Sequence, residues 1–558
     1  MRPHLLPDIH DWPVYILAKN RAEFVDKVIQ DMEVQVERVG AGELDQMLSK
    51  TIFQERQRVK SNPWKADPPN ESLFFKKLQR EYNENKESHD SFQKNKQTAS
   101  RLIHRYVEEI SGSFNIPTFQ FARKTLTWFF HFLYYPINFS TFSGIKKKIE
   151  RLEKCMIING QIEVVRQLFK DHTIILVPTH SSNLDSILVG YMVDTFGGLP
   201  AFSYGAGLNL FDSEFFAFFM NRLGAYRVDR RKKNQIYLHT LSTYSRLLAE
   251  RGVNTIFFPG GTRSRSGEVE GKLKLGLLNS MVLAQRNLLQ RRDPRKIIIV
   301  PVVIGYESVL EARSLILQHL KTTGQEKFIT KESDCLRFQN IYILYGVSSE
   351  KVIQRISHFG NAPGCLWQHR NVDAHGKYPD HNGKPVHLGD YFKREGEFVH
   401  DAQRESIYTK ELAEAIAREY KKNNFILPAH FVAFSAFKMY KEIHNQQDDI
   451  NIVQSPEEEF SLPLADYKVY CKKLLAKMMV LQNQGKAYMS DRMLQDFDQV
   501  IEEGIRRVGV FHNRKVLMIS NMEIITEDLI ALYFYYNKLR NLEDDLKDIA
   551  EEEYQSLM

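Results

Sequence analysis

Four short apolar runs rich in β-branched residues restrict this chain more than any other feature. They are TIILVPT (Thr173–Thr179), NTIFFP (Asn254–Pro259), KIIIVPVVIGY (Lys296–Tyr306) and NIYILYG (Asn340–Gly346). Each is strand-length, and the stretches between them have helical periodicity, with Tyr237, Leu241, Tyr244 and Leu248 recurring on one helical face. Strands that alternate with helices specify an α/β layer built on a mainly parallel sheet flanked by helices, because parallel neighbours need a crossover between them.

At 558 residues the chain exceeds one ordinary core. Around the α/β segment, assigned to about 111–350, the pattern predicts a helical N-terminal region over 1–110. That region is interrupted by SNPWKADPPNES (Ser61–Ser72), whose prolines and asparagines end regular structure. A C-terminal extension over 351–558 is expected to be loop-rich and then helical, with a polar break at Asn445–Phe460.

With 43% hydrophobic and 26% charged residues, the composition excludes a wholly disordered chain. A net charge of +7 suits anionic partners such as lipid headgroups, phosphates or an acidic carrier protein, and suits a solvated basic surface equally. Cys155, Cys335, Cys365 and Cys471 are too scattered for a disulfide framework, which fits a reducing compartment. The opening MRPHLLPDIHDWP lacks the apolar core of a secretory signal, so a cytoplasmic-side location is expected.

No run of about 20 apolar residues offers a membrane span. Leu126–Phe139, within a segment of about 125–142, is aromatic and flanked by Arg123, Lys124 and Lys146–Lys148. That composition suits peripheral docking at a membrane interface; an ordinary buried helix is the alternative.

Two loops carry candidate chemistry. PTHSSNLDS (Pro178–Ser186) holds His180 and Asp185 in an H-x-x-x-x-D pattern that recurs at His375/Asp380 and His444/Asp449. Only His180 follows a buried-type strand and precedes a helical run, with Ser181, Ser182 and Asn183 available as caps. Five residues of regular helix rotate by about 140°, so the pair meets only if His180 sits in the turn before the helix and Asp185 reaches back from its first turn. A carboxylate holding one ring nitrogen leaves the other to accept a proton from a substrate hydroxyl. A capping aspartate beside a satisfied loop histidine is the other reading. Ser181 and Ser182 lack a G-x-S-x-G elbow, which disfavours an acyl-enzyme.

The second loop, FFPGGTRSRSG (Phe257–Gly267), joins bare backbone at Gly260 and Gly261 to Thr262, Arg263, Ser264, Arg265 and Ser266. These donors suit a phosphate, and they suit a polar surface turn as well. LGAYRVDRRKKN (Leu223–Asn234) places Arg230–Lys233 after another strand-like stretch, where four basic residues in a row read as a solvated or membrane-facing patch. His369, His375, His381 and His387, near Cys365, do not match the compact ligand spacing of a zinc site, and a surface loop is expected there.

In this order, PTHSSNLDS, LGAYRVDR, FPGGTRSRSG and IVPVVIGYE resemble the four blocks of the glycerolipid acyltransferases. GAGLNLF (Gly205–Phe211) and IGYESVLEA (Ile304–Ala312) bring the resemblance closest to the glycerol-3-phosphate and dihydroxyacetone-phosphate acyltransferase branch. The resemblance implies an acyltransferase domain with His180 as general base and Asp185 as its orienting partner. It further implies Arg230, Gly261, Thr262, Arg263, Ser264 and Arg265 around the phosphate of the acyl acceptor, and Pro301 on the acyl-donor side. Implied partners are glycerol 3-phosphate, acyl-CoA or acyl carrier protein, and a membrane surface (the inner membrane in a bacterium), with no cofactor, metal or nucleic acid.

Dihydroxyacetone phosphate or lysophosphatidate as acceptor, or a lipid-binding relative without activity, stay open. The sequence departs from the family pattern F-P-E-G-T-R-S at one position, Gly260, where the family has Glu. Glu268 and Glu270 are candidate substitutes, and Gly260→Glu is expected to raise activity if a lost carboxylate matters.

Overall fold

The computed structural model describes residues 2–322, apart from 87, 135–143, 154 and 212–213, and residues 388–555, apart from 446–447, together with four short strands between 354 and 386. The strand expected at Asn340–Gly346 and the histidine-rich loop, including His369, His375, His381 and His387, lie outside the described residues.

The central sheet contains β1 (Met156–Gly160), β2 (Thr173–Pro178), β3 (Ser203–Gly207), β4 (Ala225–Val228), β5 (Thr255–Ile256), β6 (Ile297–Tyr306) and β7 (Gln354–Phe359). Five of them run parallel in the order β6–β2–β5–β3–β4, with Ile175 opposite both Ile299 and Thr255. Beyond β6, β7 pairs antiparallel to it and parallel to β1. The mainly parallel α/β architecture expected from the alternating runs is the one observed. Of NTIFFP only Thr255 and Ile256 form strand ladder, because the chain turns at Pro259 and Gly260.

β2 and β6 are buried along their whole length, as strands with helices on both faces must be. Pro301 is tolerated inside β6 because backbone bonds to the β2 side use the even-numbered residues, as at Thr179 N–H to Val302 O (2.9 Å). Its missing N–H falls on the other edge, between the residues paired with Gly364–Cys365 and those paired with β7.

On one face of the sheet, Ile297, Ile299 and Val303 pack under the helices Leu275–Gln290 and Ala402–Lys422, through Leu278, Met281, Leu412 and Tyr420. Ile298, Val300 and Ile304 face the opposite layer, where Leu188, Leu315, Phe434 and Leu532 belong to one continuous core. That core joins the sheet directly to the C-terminal helices Pro428–Ile443, Leu464–Asn483 and Leu529–Tyr536.

The N-terminal helices Arg21–Glu37, Ala41–Ser61, Glu71–Lys86 and Ser91–Ile110 pack around Gln235–Glu250. Tyr237, Leu241, Tyr244 and Leu248, the face read from periodicity, are buried against Phe24, Leu48 and Tyr106.

The aromatic segment is divided. Leu126–Tyr134 lies in the helix Ile116–Tyr134, which buries Phe130, Leu133 and Tyr134, while Phe121 and Trp128 are 59% and 52% exposed. Residues 135–139 lie outside the described residues. Among the described residues, no helix is long and apolar enough to cross a membrane.

Candidate active site

All loops that carry the sequence blocks emerge at the carboxyl ends of parallel strands. His180 follows β2, Gly207 closes β3, Arg230 follows β4, Gly260 follows β5 and Glu307–Glu311 follow β6. Open parallel sheets bind ligands at that end, where helix N-termini and free loops converge.

β2 ends at Pro178, the chain turns through His180, and a helix begins at Asp185 and runs to Thr195. The Asp185 side chain is fully buried. Its Oδ2 accepts from His180 Nδ1 (2.8 Å) and from the backbone N–H groups of Ser181 (2.6 Å) and Ser182 (2.8 Å), and its Oδ1 accepts from the Tyr306 hydroxyl. A carboxylate at this position can only accept, so Nδ1 carries the ring proton and Nε2 is the basic nitrogen. The imidazole rests on Phe258, with ring centroids 4.4 Å apart, and keeps 16% of its side-chain surface exposed.

Of the expected caps, Ser182 accepts the Leu184 N–H on its Oγ (3.2 Å) at the entry to the helix, and Asp185 organises the turn from inside. The Ser182 hydroxyl donates to Glu311 (3.1 Å), and Asn183 N–H donates to the same carboxylate (2.5 Å). A hydroxyl committed to Glu311 is not activated by His180, which weighs against a covalent serine. Desolvation raises the Glu311 pKa above the ordinary carboxylate value. Sequence reasoning assigned no role to Tyr306 or Glu311, although Tyr306 lies in the fourth block and both lie in IGYESVLEA.

Two residues of the third block bond directly to the His180 turn. Ser264 N–H donates to His180 O (2.7 Å), and Arg263 Nη1 donates to Asn183 Oδ1 (2.5 Å) at 3.9 Å from Glu311. Ser264 spends its hydroxyl on Glu268 O (2.6 Å), so one of its donors ties the loop to the His180 turn and the other closes the loop itself. Gly261 adopts φ +81°, which favours glycine, while Thr262 and Arg265 are exposed. Behind the turn, Glu270 Oε1 accepts the His180 backbone N–H (2.8 Å).

The four basic residues after β4 do not form one solvated patch. Lys232 is buried and donates to Glu109 (2.7 Å) beside Glu71 (3.5 Å). Arg231 pairs with Asp229 (2.8 Å) and Asp67 and stacks 4.1 Å over Trp64. Arg230 and Lys233 remain exposed. Partial desolvation lowers the Arg230 guanidinium pKa, and it pairs with no carboxylate among the described residues.

Arg230 shares the carboxyl end of the sheet with His180, three strands away, on the order of 14 Å at the usual strand spacing. Pro301 is brought to neither group. It is buried within β6 on the side of Ile299 and Val303. Among the described residues, no group of three or more His, Cys, Asp or Glu side chains could hold a metal ion.

Residues 158–305 match the family described as Acyltransferase. Proteins named glycerol-3-phosphate acyltransferase are similar over the same part of the chain. The one from Pseudomonas paraeruginosa is 32% identical over 217 residues, 39% of this chain and 23% of that protein. The one from Pseudomonas fluorescens is 30% identical over 224 residues, covering 40% and 24%, and the one from Pseudomonas putida is 30% identical over 249 residues, covering 43% and 27%. The chain thus spans about a quarter of the length of these relatives. Over residues 158–305 the chain is similar to the acyltransferase family.

Proposed function

We propose that the protein transfers a fatty acyl group from a thioester, acyl-CoA or acyl carrier protein, to the 1-hydroxyl of glycerol 3-phosphate, forming lysophosphatidate. The observation that carries this reading is the His180–Asp185 pair at the carboxyl end of the sheet, with Nδ1 fixed and Nε2 basic.

Nε2 takes the proton of the 1-hydroxyl as its oxygen attacks the thioester carbonyl carbon. The new C–O bond replaces the C–S bond, and the departing thiolate leaves as thiol with the proton from His180. Arg230, which lacks a partner among the described residues, and Arg263 supply the positive charge for the acceptor's phosphate. Gly261, Thr262 and Arg265, in the same loop as Arg263, are assigned to the same phosphate site.

Release of free thiol from an acyl thioester, dependent on glycerol 3-phosphate, tests the reading. His180→Ala should lower kcat by about 10²- to 10⁴-fold, the usual worth of a positioned base, with an unchanged circular dichroism spectrum. Turnover near wild type would remove His180 from the base role. Competition with dihydroxyacetone phosphate and lysophosphatidate ranks the acceptors. Absence of thiol release with every donor and acceptor would leave a lipid-binding relative.

The same reading puts the protein on the cytoplasmic side of a membrane, held peripherally (at the inner membrane in a bacterium). Phe121, Trp128 and Phe132 share one face of the helix Ile116–Tyr134 with the exposed Lys124, and exposed Lys146 and Lys147 begin the next helix. Aromatic rings with basic neighbours suit an anionic interface. Replacing Phe121, Trp128 and Phe132 by serine should move the protein from the membrane pellet to the supernatant. Phe129 packs against the core, and its replacement would test folding instead.

A further inference from the structure

We propose that Glu270 is the positioning residue for the His180 turn, and that it fills, from ten residues downstream, the space a side chain at position 260 would occupy. The inference rests on the proposed acyl transfer for its kinetic consequence and on packing alone for its structural one.

A Cβ added to Gly260 would lie 2.3 Å from Glu270 Oε2 and 2.5 Å from its Cδ. Real Cβ atoms do not approach so closely, so a side chain at 260 and the present position of Glu270 exclude each other. Gly260 is not in the left-handed region, so its need for glycine is spatial.

The chain returns Glu270 to this place by a closed excursion. Lys274 N–H donates to Pro259 O (2.7 Å), Ser264 Oγ donates to Glu268 O (2.6 Å), and Gly267 passes beneath Phe534. At the end of that path Oε1 takes the backbone N–H of His180 (2.8 Å), while Oε2 is buried without a hydrogen-bond partner among the described residues. The pocket behind it is lined by Ser181, Tyr306, His430 and Lys538.

Asp185 thus holds the imidazole and Glu270 holds the backbone that carries it. Removing Glu270 leaves the N–H of the base unpaired and frees the turn while the ring contact to Asp185 survives. Burial pushes the Glu270 carboxyl up to about 8 and the Lys538 ammonium down to about 8, each drawn partly back by the other. A second carboxylate introduced at 260 would meet an acid already short of solvent. The sign of the sequence-based expectation therefore reverses: Gly260→Glu alone lowers activity, because the space it needs is filled.

The test is a double-variant cycle: Gly260→Glu, Glu270→Gly and the two combined, each measured by thermal midpoint and by kcat and KM for glycerol 3-phosphate. Each single variant should unfold at lower temperature. Where acyl transfer is measurable, each should lose about 100-fold in kcat, the scale of a base displaced by about an ångström, with little change in KM. The combined variant should recover most of both losses, because one carboxylate again occupies one space. Glu270→Gln, whose amide oxygen accepts the same His180 N–H, should keep kcat near wild type.

A combined variant no more stable than Gly260→Glu alone would overturn the pairing. A full recovery of stability with kcat still depressed would overturn the positioning role. A wild type without acyl transfer would sink the proposed function and leave the thermal cycle to decide the pairing.

Discussion

The N-terminal helices and the C-terminal helices both grip loops at the carboxyl end of the sheet, and they do so by different means. On the N-terminal side the grip is ionic: Lys232 enters a buried site between Glu71 and Glu109, and Arg231 pairs with Asp67. On the C-terminal side close approach and neutral hydrogen bonds are added to two ion pairs, Arg540 with Glu268 (3.4 Å) and Arg507 with Glu307 (3.9 Å). Gly267 passes under Phe534, Asn537 Nδ2 donates to Ser266 O (2.8 Å), Tyr420 donates to Val177 O (2.7 Å), and Val309 N–H donates to the Tyr535 hydroxyl (2.9 Å).

The basic loop after β4 is held by charges that leave Arg230 free. The loops after β5 and β6 are held largely by close packing, next to His180, the proposed base. An ionic grip tolerates small displacements because Coulomb attraction falls slowly with distance, whereas a contact through a missing Cβ does not.

The contrast breaks most sharply at Lys232. Replacing it with Met strands the buried Glu109 carboxylate, while Glu71 keeps Arg58 at 2.8 Å, and the cost should be about 3–5 kcal/mol, read by chemical denaturation. Removing Glu109 as well should return part of that loss, which a purely steric site would not allow. On the other flank, Gly267→Ala sets a Cβ 2.3 Å from Phe534 O at φ +91° and should cost about 1–3 kcal/mol. Its effect should be insensitive to salt. If removing Glu109 returns nothing to the Lys232→Met variant, the ionic reading of the N-terminal flank is wrong.

The smallest expected effect is a pH slope. Glu270 has its carboxyl raised from 4.5 to about 8, so between those values the folded protein keeps a proton that the unfolded chain releases. This group's contribution to stability should therefore fall as pH rises from 4.5 towards 8. Lys538, lowered from 10.5 to about 8, makes the folded state bind fewer protons above 8, so its contribution runs the other way from 8 to 10.5. Glu270→Gln should flatten the lower limb of the thermal midpoint against pH and leave the upper limb.

Much of the site's local geometry could be read from the sequence because it is local. The His180 turn, its strand and Asp185 are close in sequence, and helical rotation sets the condition for ring and carboxylate to meet, with His180 in the turn before the helix. The parallel sheet was legible for the same reason, in runs whose length and β-branching speak for themselves. What stayed hidden depends on partners far along the chain. Nothing in LGAYRVDRRKKN distinguishes Arg230 from Lys232, because the carboxylates that bury Lys232 come from residues 71 and 109. Ser264 reads as a phosphate donor until its N–H is found on His180 and its hydroxyl on Glu268. Glu270 could be named as a candidate but not chosen over Glu268, since the choice turns on how a ten-residue excursion closes.

The passage of Gly267 beneath Phe534, with Asn537 fastened to Ser266, also orders events in time. The two segments are separated by 271 residues at the Asn537–Ser266 bond. A ribosome that has already delivered all five parallel strands has delivered a sheet whose third-block loop still lacks its lock. The arginines of that loop and the turn carrying His180 gain their final positions only after residues 534–538 emerge. Competence at this centre is thus a late event in the life of each molecule, coupled to synthesis of the helices that follow.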